Sequence, residues 1–468
     1  MVQNIRQRSI HPNSKDNGTP VLEEKPSLND DLPSKVDIHE EKRTLGKPAN
    51  VCSRMLYWGT LLAQFIITSV SLTFLYSNTY FFPVMGPRGD ISLKGLLHLI
   101  VFCASSVLTQ YNFLMAIFIG PGYVPERWQP EKEKHNALLQ YCKVCLGFKA
   151  PRAHHCRTCG RCVLKMEHHC PWINNCVGHK NHAYFLRFLF FAVVGCAHAA
   201  FVFLLIFLRL FTISYSEMHF GGRARQSSNL LVHSYHKLMY FQPPPAFFNI
   251  WGLLWLVLMI GFAVGVTIAV GLLCIVQLKI IFRNETSIER WIITKANHYL
   301  REEAQGAGKP VALFRNPYDL GWKENFRQVI GNGSRNPQGD GIWWAVHDSC
   351  DQFTLTSEQL RQKQFKRDAS VVYEVRESYN GARFPLFSQG FGVCIAFPWA
   401  LDEPRIAVQS GDRIRVTFGK NKWLYGELLG QIQADRKLDP SGDSHKERKG
   451  WFPRRVAVPL QSESSSFL

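Results

Sequence analysis

The stretch that decides the fold spans residues 141–182 and reads YCKVCLGFKAPRAHHCRTCGRCVLKMEHHCPWINNCVGHKNH. It holds seven of the chain's 13 cysteines, arranged as C-x-x-C pairs interleaved with histidines. A C-x-x-C pair presents two thiolates on one tight turn, which is half of a tetrahedral zinc site with Zn–S distances of about 2.3 Å. No thioredoxin-like βαβ pattern surrounds the pairs, which disfavours a redox motif. The stretch therefore predicts zinc binding in a reducing compartment rather than a disulfide framework.

The possible ligands in this stretch exceed the need of a single zinc ion. Seven cysteines and at least two histidines suffice for two four-ligand sites with one cysteine left over. Spacing alone does not divide them, since Cys159 belongs to two overlapping C-x-x-C pairs. A spare thiol beside an imidazole can be a nucleophile, and an acid can hold that imidazole in one tautomer. Glu167, His168 and Cys170 supply these groups, but their chemistry alone leaves catalysis and a structural zinc knuckle equally open.

Four apolar stretches are each long enough to cross a hydrocarbon core, which takes about 20 helical residues. We expect spans at 55–76, 95–120, 184–212 and 246–278. The cysteine-rich region, 121–183, then forms a domain between the second and third spans. The fold class predicted is membrane α-helical: a four-transmembrane-helix bundle carrying a two-zinc domain.

Lys and Arg residues near the ends of the spans predict the orientation. Nineteen lie on the side of the cysteine-rich region and six on the other. Because basic residues concentrate on the cytosolic side, both termini and the zinc domain are expected in the cytosol. Residues 1–54 are polar and charged without a signal-peptide core, and we expect them to be disordered. The formal charge of +18 suits an anionic membrane surface, an acidic cofactor or a nucleic acid.

Beyond the fourth span the chain becomes soluble in character. We expect a juxtamembrane region at 279–330, a linker at 331–369 and an all-β module at 370–460. Within the module, Val371–Val375 and Arg413–Phe418 alternate apolar and polar residues as half-buried strands do.

The cysteine-rich stretch resembles the catalytic domain of DHHC-type protein S-acyltransferases. The family pattern CxxC…HC…CxxC…DHHCPWxxNCVG is matched from Cys142 to Gly178, between the second and third spans as in that family. The resemblance implies that acyl-CoA, typically palmitoyl-CoA, acylates Cys170 with His168 as base, and that a protein cysteine then takes the acyl group. It also implies two structural zinc ions, one bound by Cys142, Cys145, His155 and Cys162, and the other by Cys156, Cys159, His169 and Cys176.

Three flanking segments agree with the resemblance. Gly120-Pro121-Gly122 resembles the family's DPG motif, and Thr286-Ser287-Ile288-Glu289 resembles its TTxE motif. Without that context the tetrapeptide is an ordinary capping box at the start of a helix. A third segment resembles the NPY-containing region that packs under the active site, with Asn316, Pro317, Tyr318 and Asn325 as its structural residues. Residues expected to line the active site or the acyl chain are Trp172, Gly195, Thr286 and Ser287.

Departures from the family pattern concern the acid and its surroundings. Glu167 stands where the family has Asp, Ser287 where it has the second Thr of TTxE, and Gly120 where it usually has Asp. The carboxylate of Glu167 reaches about one methylene further, which puts the orientation of the histidine, and hence the rate, in question. Activity is not excluded, because such an acid orients the base and takes no part in bond making.

The C-terminal module resembles an SH3-like barrel. Gly411-Asp412, Trp423 and Gly450-Trp451-Phe452-Pro453 follow one another in the order of that fold. Val456 occupies the place of the groove tyrosine, so intramolecular packing is favoured over binding of PxxP partners. An acyltransferase core with such a module implies membrane-associated protein substrates with cytosolic cysteines. It also implies residence in the endoplasmic reticulum membrane, with the Golgi as the alternative.

Three other interpretations compete with an enzyme. A nucleic-acid zinc module is disfavoured because the basic loop is tethered between spans, where its charge suits acyl-CoA phosphates and lipid headgroups. We therefore expect no nucleic-acid partner. A RING-like ligase requires a long insert between the second and third ligand pairs, and none is present. A catalytically dead zinc scaffold differs from the enzyme in forming no thioester on Cys170.

Overall fold

The structure is a computed structural model that describes residues 50–84, 91–220, 244–308, 310–331, 337–382, 390, 393, 404–429 and 449–460. Most of the N-terminal segment expected to be disordered lies outside these residues. Its last residues instead enter a short helix, α1 (Val51–Met55). Arg54 is buried there because its guanidinium donates to the carbonyl of Ile117 at 3.1 Å, which ties this helix to the end of the second span.

Within the described residues, four helices are long and apolar enough to cross a membrane. They are α2 (Trp58–Phe81), α3 (Leu93–Phe118), α4 (His182–Phe220) and α5 (Ile250–Arg283). The four-helix membrane fold is thus confirmed, although each helix begins and ends at other residues than the predicted span. Hydropathy locates the apolar run, whereas caps decide where a helix begins: Asn249, before α5, accepts a hydrogen bond from the amide of Gly252 at 2.8 Å.

Helix α4 is the centre of the bundle and packs against both α3 and α5. Polar pairs join the helices inside the bundle. Gln64 and Gln110 exchange two amide hydrogen bonds of 3.0 and 2.9 Å, and the rings of His98 and His198 approach to 2.7 Å. Such contacts specify which faces meet where the hydrophobic effect cannot.

The cysteine-rich domain consists of three small antiparallel hairpins. The first joins β1 (Tyr141–Cys142) to β2 (Gly147–Phe148). The second and third are β3 (His154–Cys156) with β4 (Arg161–Val163), and β5 (His168–Cys170) with β6 (Asn175–Val177). With such short strands, the hairpins depend on ligation and on packing against the membrane helices.

Among the described residues beyond the fourth span, three α-helices precede the C-terminal sheet: α6 (Ser287–Ala307), α7 (Trp322–Ile330) and α8 (Thr354–Asp368). The region expected as a linker, 331–369, therefore contains a docked helix. The Gln362 side chain on α8 donates to the carbonyl of Ile292 on α6 at 2.9 Å, and Leu355 is buried in the same cluster. The Gly- and Asn-rich start of this region led to the prediction of a linker for the whole of it, although a helix follows.

The C-terminal module is a five-stranded antiparallel sheet of order β10-β9-β8-β7-β11, consistent with an SH3-like module. Both strands expected from alternation are confirmed, as β7 and β8. Trp423, Trp451 and Phe452 are completely buried in its core. The strands are β7 (Val371–Val375), β8 (Arg413–Lys420), β9 (Trp423–Leu429), β10 (Lys449–Pro453) and β11 (Ala457–Pro459).

Candidate active site and metal centres

The eight expected zinc ligands form two separate groups, with the ligand atoms of each group within 4.8 Å of one another. One group is Cys142, Cys145, His155 and Cys162, and the other is Cys156, Cys159, His169 and Cys176. The division that spacing left open is therefore the one that the family resemblance implied. Cys170 belongs to neither group.

The spacing of these atoms fits tetrahedral zinc. A tetrahedron with metal–ligand bonds of about 2.3 Å has edges of about 3.8 Å. In the first group, Nδ1 of His155 lies 3.5, 3.4 and 3.9 Å from the sulfurs of Cys142, Cys145 and Cys162. In the second, Nδ1 of His169 lies 3.4 to 3.7 Å from its three sulfurs. Three thiolates and one imidazole close each site, so zinc would stabilise the fold without an open position for chemistry.

The third hairpin points its side chains in two directions. Successive residues of a strand face opposite sides, so His168 and Cys170 share one face of β5 and His169 takes the other. His169 pairs across the hairpin with Cys176, and both belong to the second zinc group. The metal site therefore fixes the strand that presents His168 and Cys170 on its opposite face.

Glu167 stands behind His168 and is itself fixed by Ser287. Oε1 of Glu167 lies 3.8 Å from Nδ1 of His168. The backbone amide of Ser287 donates to the Glu167 carboxylate at 2.7 Å, and its hydroxyl donates at 2.5 Å. Glu167, longer than the family's Asp, and Ser287, smaller than the family's Thr, are thus in direct contact.

These contacts shift the ionisation of both groups. Burial by itself raises the pKa of Glu167, but the nearby His168 ring and the hydrogen bonds from Ser287 offset it and bring the pKa to about 2. Burial lowers the pKa of His168, whereas electrostatic interaction with Cys170 and Glu167 raises it to about 9. The arrangement therefore favours a carboxylate beside an imidazolium.

The TTxE-like segment acts as a capping box and as a link to the zinc domain. Thr286 accepts from the amide of Glu289 at 3.2 Å, and Glu289 accepts from the amide of Thr286 at 2.8 Å. Glu289 also forms a buried ion pair with Arg152, at 2.7 Å. Thr286 thus caps α6 and Ser287 holds the Glu167 carboxylate, and the lining of the active site by both residues stays a prediction.

Arg152 and Asn284 are functional residues that the sequence interpretation missed. Besides Glu289, Arg152 binds the side-chain oxygen of Asn284 at 3.0 Å and its carbonyl at 2.8 Å. Asn284 ends α5 in the left-handed conformation, with φ 45°. The partners are more than 130 residues apart in the chain, and no local pattern marks them.

The NPY-containing segment covers the end of α5. The side chains of Asn316 and Asn325 donate to the carbonyls of Arg283 and Phe282, each at 2.8 Å. These are carbonyls that a helix end leaves without internal partners. Tyr318 is completely buried, and the carbonyl of Pro317 accepts from the amide of His347 at 2.9 Å. These contacts join the NPY-containing segment to the end of α5 and to the chain that follows it.

An apolar cavity of about 390 Å³ lies between the four membrane helices and reaches Cys170. Its wall includes Trp172 and, further along α4, Gly195 and Cys196. A Cβ atom on Gly195 would lie 3.1 Å from Oγ of Ser105, so this glycine also packs closely against α3. The apolar lining of the cavity suits a hydrocarbon chain attached to Cys170.

Comparisons with known proteins agree with this site. The DHHC palmitoyltransferase family profile matches residues 135–294. Palmitoyltransferase ZDHHC6 of Danio rerio is 42% identical over 417 residues, which cover 88% of this chain and 93% of that protein. ZDHHC6 of Homo sapiens is 40% identical with the same coverage, whereas ZDHHC16 of Homo sapiens is 33% identical over 51% of this chain and 62% of its own length. An acyltransferase core followed by an SH3-like module predicts a likeness to the palmitoyltransferase numbered six. The alignments with ZDHHC6, which cover 93% of that protein, confirm this prediction. The chain belongs to the DHHC palmitoyltransferase family.

Proposed function

We propose that this protein is a protein-cysteine S-palmitoyltransferase in which Cys170 is the acylated nucleophile. The observation that carries the assignment is the position of Cys170. It is the only cysteine from 142 to 176 outside both zinc groups, and it shares one face of β5 with His168 at the wall of the apolar cavity. A structural zinc module requires neither a spare buried thiol nor a cavity beside it.

The reaction proceeds in two steps. His168 takes the proton of the Cys170 thiol, and the thiolate attacks the carbonyl carbon of acyl-CoA. The carbon–sulfur bond to CoA breaks, and CoA leaves as a thiol once protonated by His168. His168, neutral again, takes the proton of a substrate cysteine thiol, and the thiolate so formed attacks the carbonyl carbon of the acyl-Cys170 thioester. The bond from that carbon to the Cys170 sulfur breaks, and the imidazolium returns its proton to the Cys170 thiolate. Glu167 stabilises the imidazolium in both steps and is not consumed.

The cavity holds the acyl chain and excludes water from the thioester. An extended C16 chain is about 20 Å long, which equals roughly 13 residues of helix at 1.5 Å per residue. Measured from His182 at the start of α4, that length reaches Gly195, on the cavity wall. The lining is predominantly apolar, so transfer of a long chain from water into it is favourable by about 0.8 kcal/mol per methylene.

The protein's location and partners follow from the same proposal. The excess of Lys and Arg on one side of the spans supports a cytosolic zinc domain, where acyl-CoA and cytosolic cysteines of membrane-associated proteins are available. The endoplasmic reticulum, which the resemblance of the sequence implies, is the membrane we propose, with the Golgi as the alternative. The SH3-like module is proposed to pack within the chain, and binding of partner proteins through it is the second possibility.

The decisive experiment is detection of the acyl-enzyme. Purified protein is incubated with labelled palmitoyl-CoA, and the label should be released by neutral hydroxylamine, which cleaves thioesters. Cys170→Ser should carry no label and still hold two zinc ions per chain. Loss of a zinc ion in that variant would show that Cys170 is a ligand, and an unlabelled wild type would leave the zinc scaffold as the better account.

A further inference from the structure

A segment beyond the family's catalytic domain folds back onto that domain. Residues 337–353, here called the clasp, follow the matched region 135–294 by more than 40 residues. The carbonyl of Gly339 accepts from the ring of His179 at 3.2 Å. At Gly341, φ is 82° and a Cβ atom would lie 2.7 Å from the His179 ring. Only glycine fits so close an approach with that backbone, so the clasp rests directly on the zinc domain.

The other end of the clasp is fastened to the segment beneath α5. The amide of His347 donates to the carbonyl of Pro317 at 2.9 Å, and the Tyr318 hydroxyl donates to the carbonyl of Gln352 at 3.0 Å. Within the clasp, the side-chain oxygen of Gln352 accepts from the amide of Trp344 at 3.1 Å. Trp344 is therefore held in place from both sides, and its side chain is buried.

The indole of Trp344 lies against the guanidinium of Arg152. The guanidinium carbon is 4.7 Å from the centre of the Trp344 ring and 4.2 Å from that of Tyr318. Nε, Nη1 and Nη2 of Arg152 all donate to Glu289 or Asn284. Hydrogen bonds thus fix the guanidinium at its edge and aromatic rings contact its faces. Cation–π contacts are worth most when, as here, the cation is removed from water.

A continuous series of contacts leads from this guanidinium to the catalytic acid. Arg152 holds Glu289, and Glu289 caps the first turn of α6 through the amide of Thr286. The next residue, Ser287, donates twice to Glu167. A shift of Arg152 would therefore move the donors that aim the carboxylate at His168. Displacements of this size are costly, since about 1 Å of misplacement can slow an enzyme on the order of 100-fold.

We infer that Trp344 is a positioning residue for acyl transfer, acting through Arg152, Glu289 and Ser287 on the catalytic acid. The inference rests on the proposed roles of Cys170, His168 and Glu167. It makes the clasp, although outside the matched catalytic region, part of what sets the rate. Trp344 is not among the residues that line the acyl cavity, so its effect should fall on turnover and not on acyl-CoA binding.

The adjacent tryptophan provides a matched control. Trp343 is 40% exposed, whereas Trp344 is 8% exposed. Trp344→Ala should lower kcat of Cys170 autoacylation about tenfold, as loss of a desolvated cation–π contact implies, with KM for palmitoyl-CoA unchanged and two zinc ions retained. Trp343→Ala should leave all three quantities unchanged. Trp344→Phe should restore most of kcat, because the buried indole N–H has no hydrogen-bond partner among the described residues.

Two outcomes would overturn the inference. One is equal kcat in Trp344→Ala and Trp343→Ala, and the other is a loss accompanied by zinc release or a raised KM, which would indicate structural damage. If Trp344→Ala does not fold, Trp344→Leu replaces it, since leucine fills space without an aromatic face. Equal kcat of the Leu and Phe variants would then contradict the inference. Labelling of Cys170→Ser reports separately on the proposed function, because a labelled serine variant would refute the nucleophile whatever Trp344 does.

Discussion

The second and third hairpins of the zinc domain share one design and differ in chemistry. The second, β3–β4, carries Ala153-His154-His155-Cys156, and the third, β5–β6, carries Glu167-His168-His169-Cys170. In each, the second histidine binds zinc together with its cross-strand cysteine partner. Every ligand of the second zinc group lies 14 residues after its counterpart in the first.

One substitution and one difference in ligation separate the second hairpin from the third. Cys156 enters the second zinc group, whereas its counterpart Cys170 has no further group to join. Ala153 gives way to Glu167, which changes the histidine that follows. Burial lowers the pKa of His154 to about 4, whereas electrostatic interaction with Cys170 and Glu167 raises the pKa of His168 to about 9 despite its burial. One unligated thiol and one acid are thus what the proposed active site adds to a zinc knuckle.

The largest expected effects separate two neighbouring histidines. His169→Ala should lose one zinc ion per chain and destabilise the domain, because structural zinc contributes about 10–16 kcal/mol of folding free energy in small zinc domains. His168→Ala should keep both ions and slow autoacylation on the order of 10²–10⁴-fold, the usual contribution of a general base. Metal analysis and labelling on the same preparations would test this. Loss of zinc from the His168 variant would contradict the division into two faces.

Removing the acid should make the third hairpin resemble the second. Glu167→Ala creates the sequence Ala-His-His-Cys, and autoacylation should fall on the order of 10²–10⁴-fold because the imidazolium loses its partner. Zinc content should stay at two per chain. Glu126 is a matched control, since it is an exposed acid of the same domain paired with Arg161, and Glu126→Ala should leave the rate unchanged. A similar fall in both variants would indicate a general electrostatic effect.

The two departures from the family pattern should be coupled. The Ser287 hydroxyl and amide both contact Glu167, and a longer acid beside a smaller alcohol conserves the space between their backbones. Glu167→Asp and Ser287→Thr should each slow autoacylation severalfold. The double variant should recover part of the loss, with a coupling of about 1 kcal/mol. Strictly additive effects on the rate would show that the two departures arose independently.

The sequence could predict those parts of the site that are close together in the chain. All eight expected zinc ligands and the three proposed catalytic residues lie between Cys142 and Cys176, and their residue types define their chemistry. The division of the ligands into two groups follows a 14-residue shift that can be found in the sequence. The overlapping C-x-x-C pairs that share Cys159 left that division ambiguous. The contacts that tune the site could not be predicted, because Arg152, Ser287 and Trp344 meet only after α5 and the clasp have packed against the hairpins.

The same contrast applies to the membrane helices. Apolar runs predict that four spans exist, since each must satisfy its backbone internally while facing lipid. They do not predict that α4 continues to Phe220 or that Gly195 meets Ser105. Helix continuation and close packing depend on neighbours that hydropathy does not describe. Helix α8 lies in the region that we expected to be a linker. It shows that the sequence pattern also fails to predict packing-dependent helices outside the membrane.

The smallest expected effect concerns acyl length at the far end of the cavity. Gly195 has no side chain to close the cavity at the depth that a C16 chain reaches, about 20 Å along α4, so the wild type should accept C18 alongside C14 and C16 acyl-CoA. A tyrosine there must displace Ser105, whose Oγ would lie 3.1 Å from its Cβ, or turn into the cavity. Each methylene excluded should cost about 0.8 kcal/mol, which lowers the C18 to C14 labelling ratio about fourfold per methylene.

Gly271→Ala is the control, because its Cβ would make ordinary contacts of 3.8 Å with Val193. Competition among the three acyl-CoAs, for wild type, Gly195→Tyr and this control, measures the ratio. Rejection of C18 by the wild type, or an unchanged length profile in the tyrosine variant, would show that the chain ends elsewhere and that Gly195 serves only helix packing.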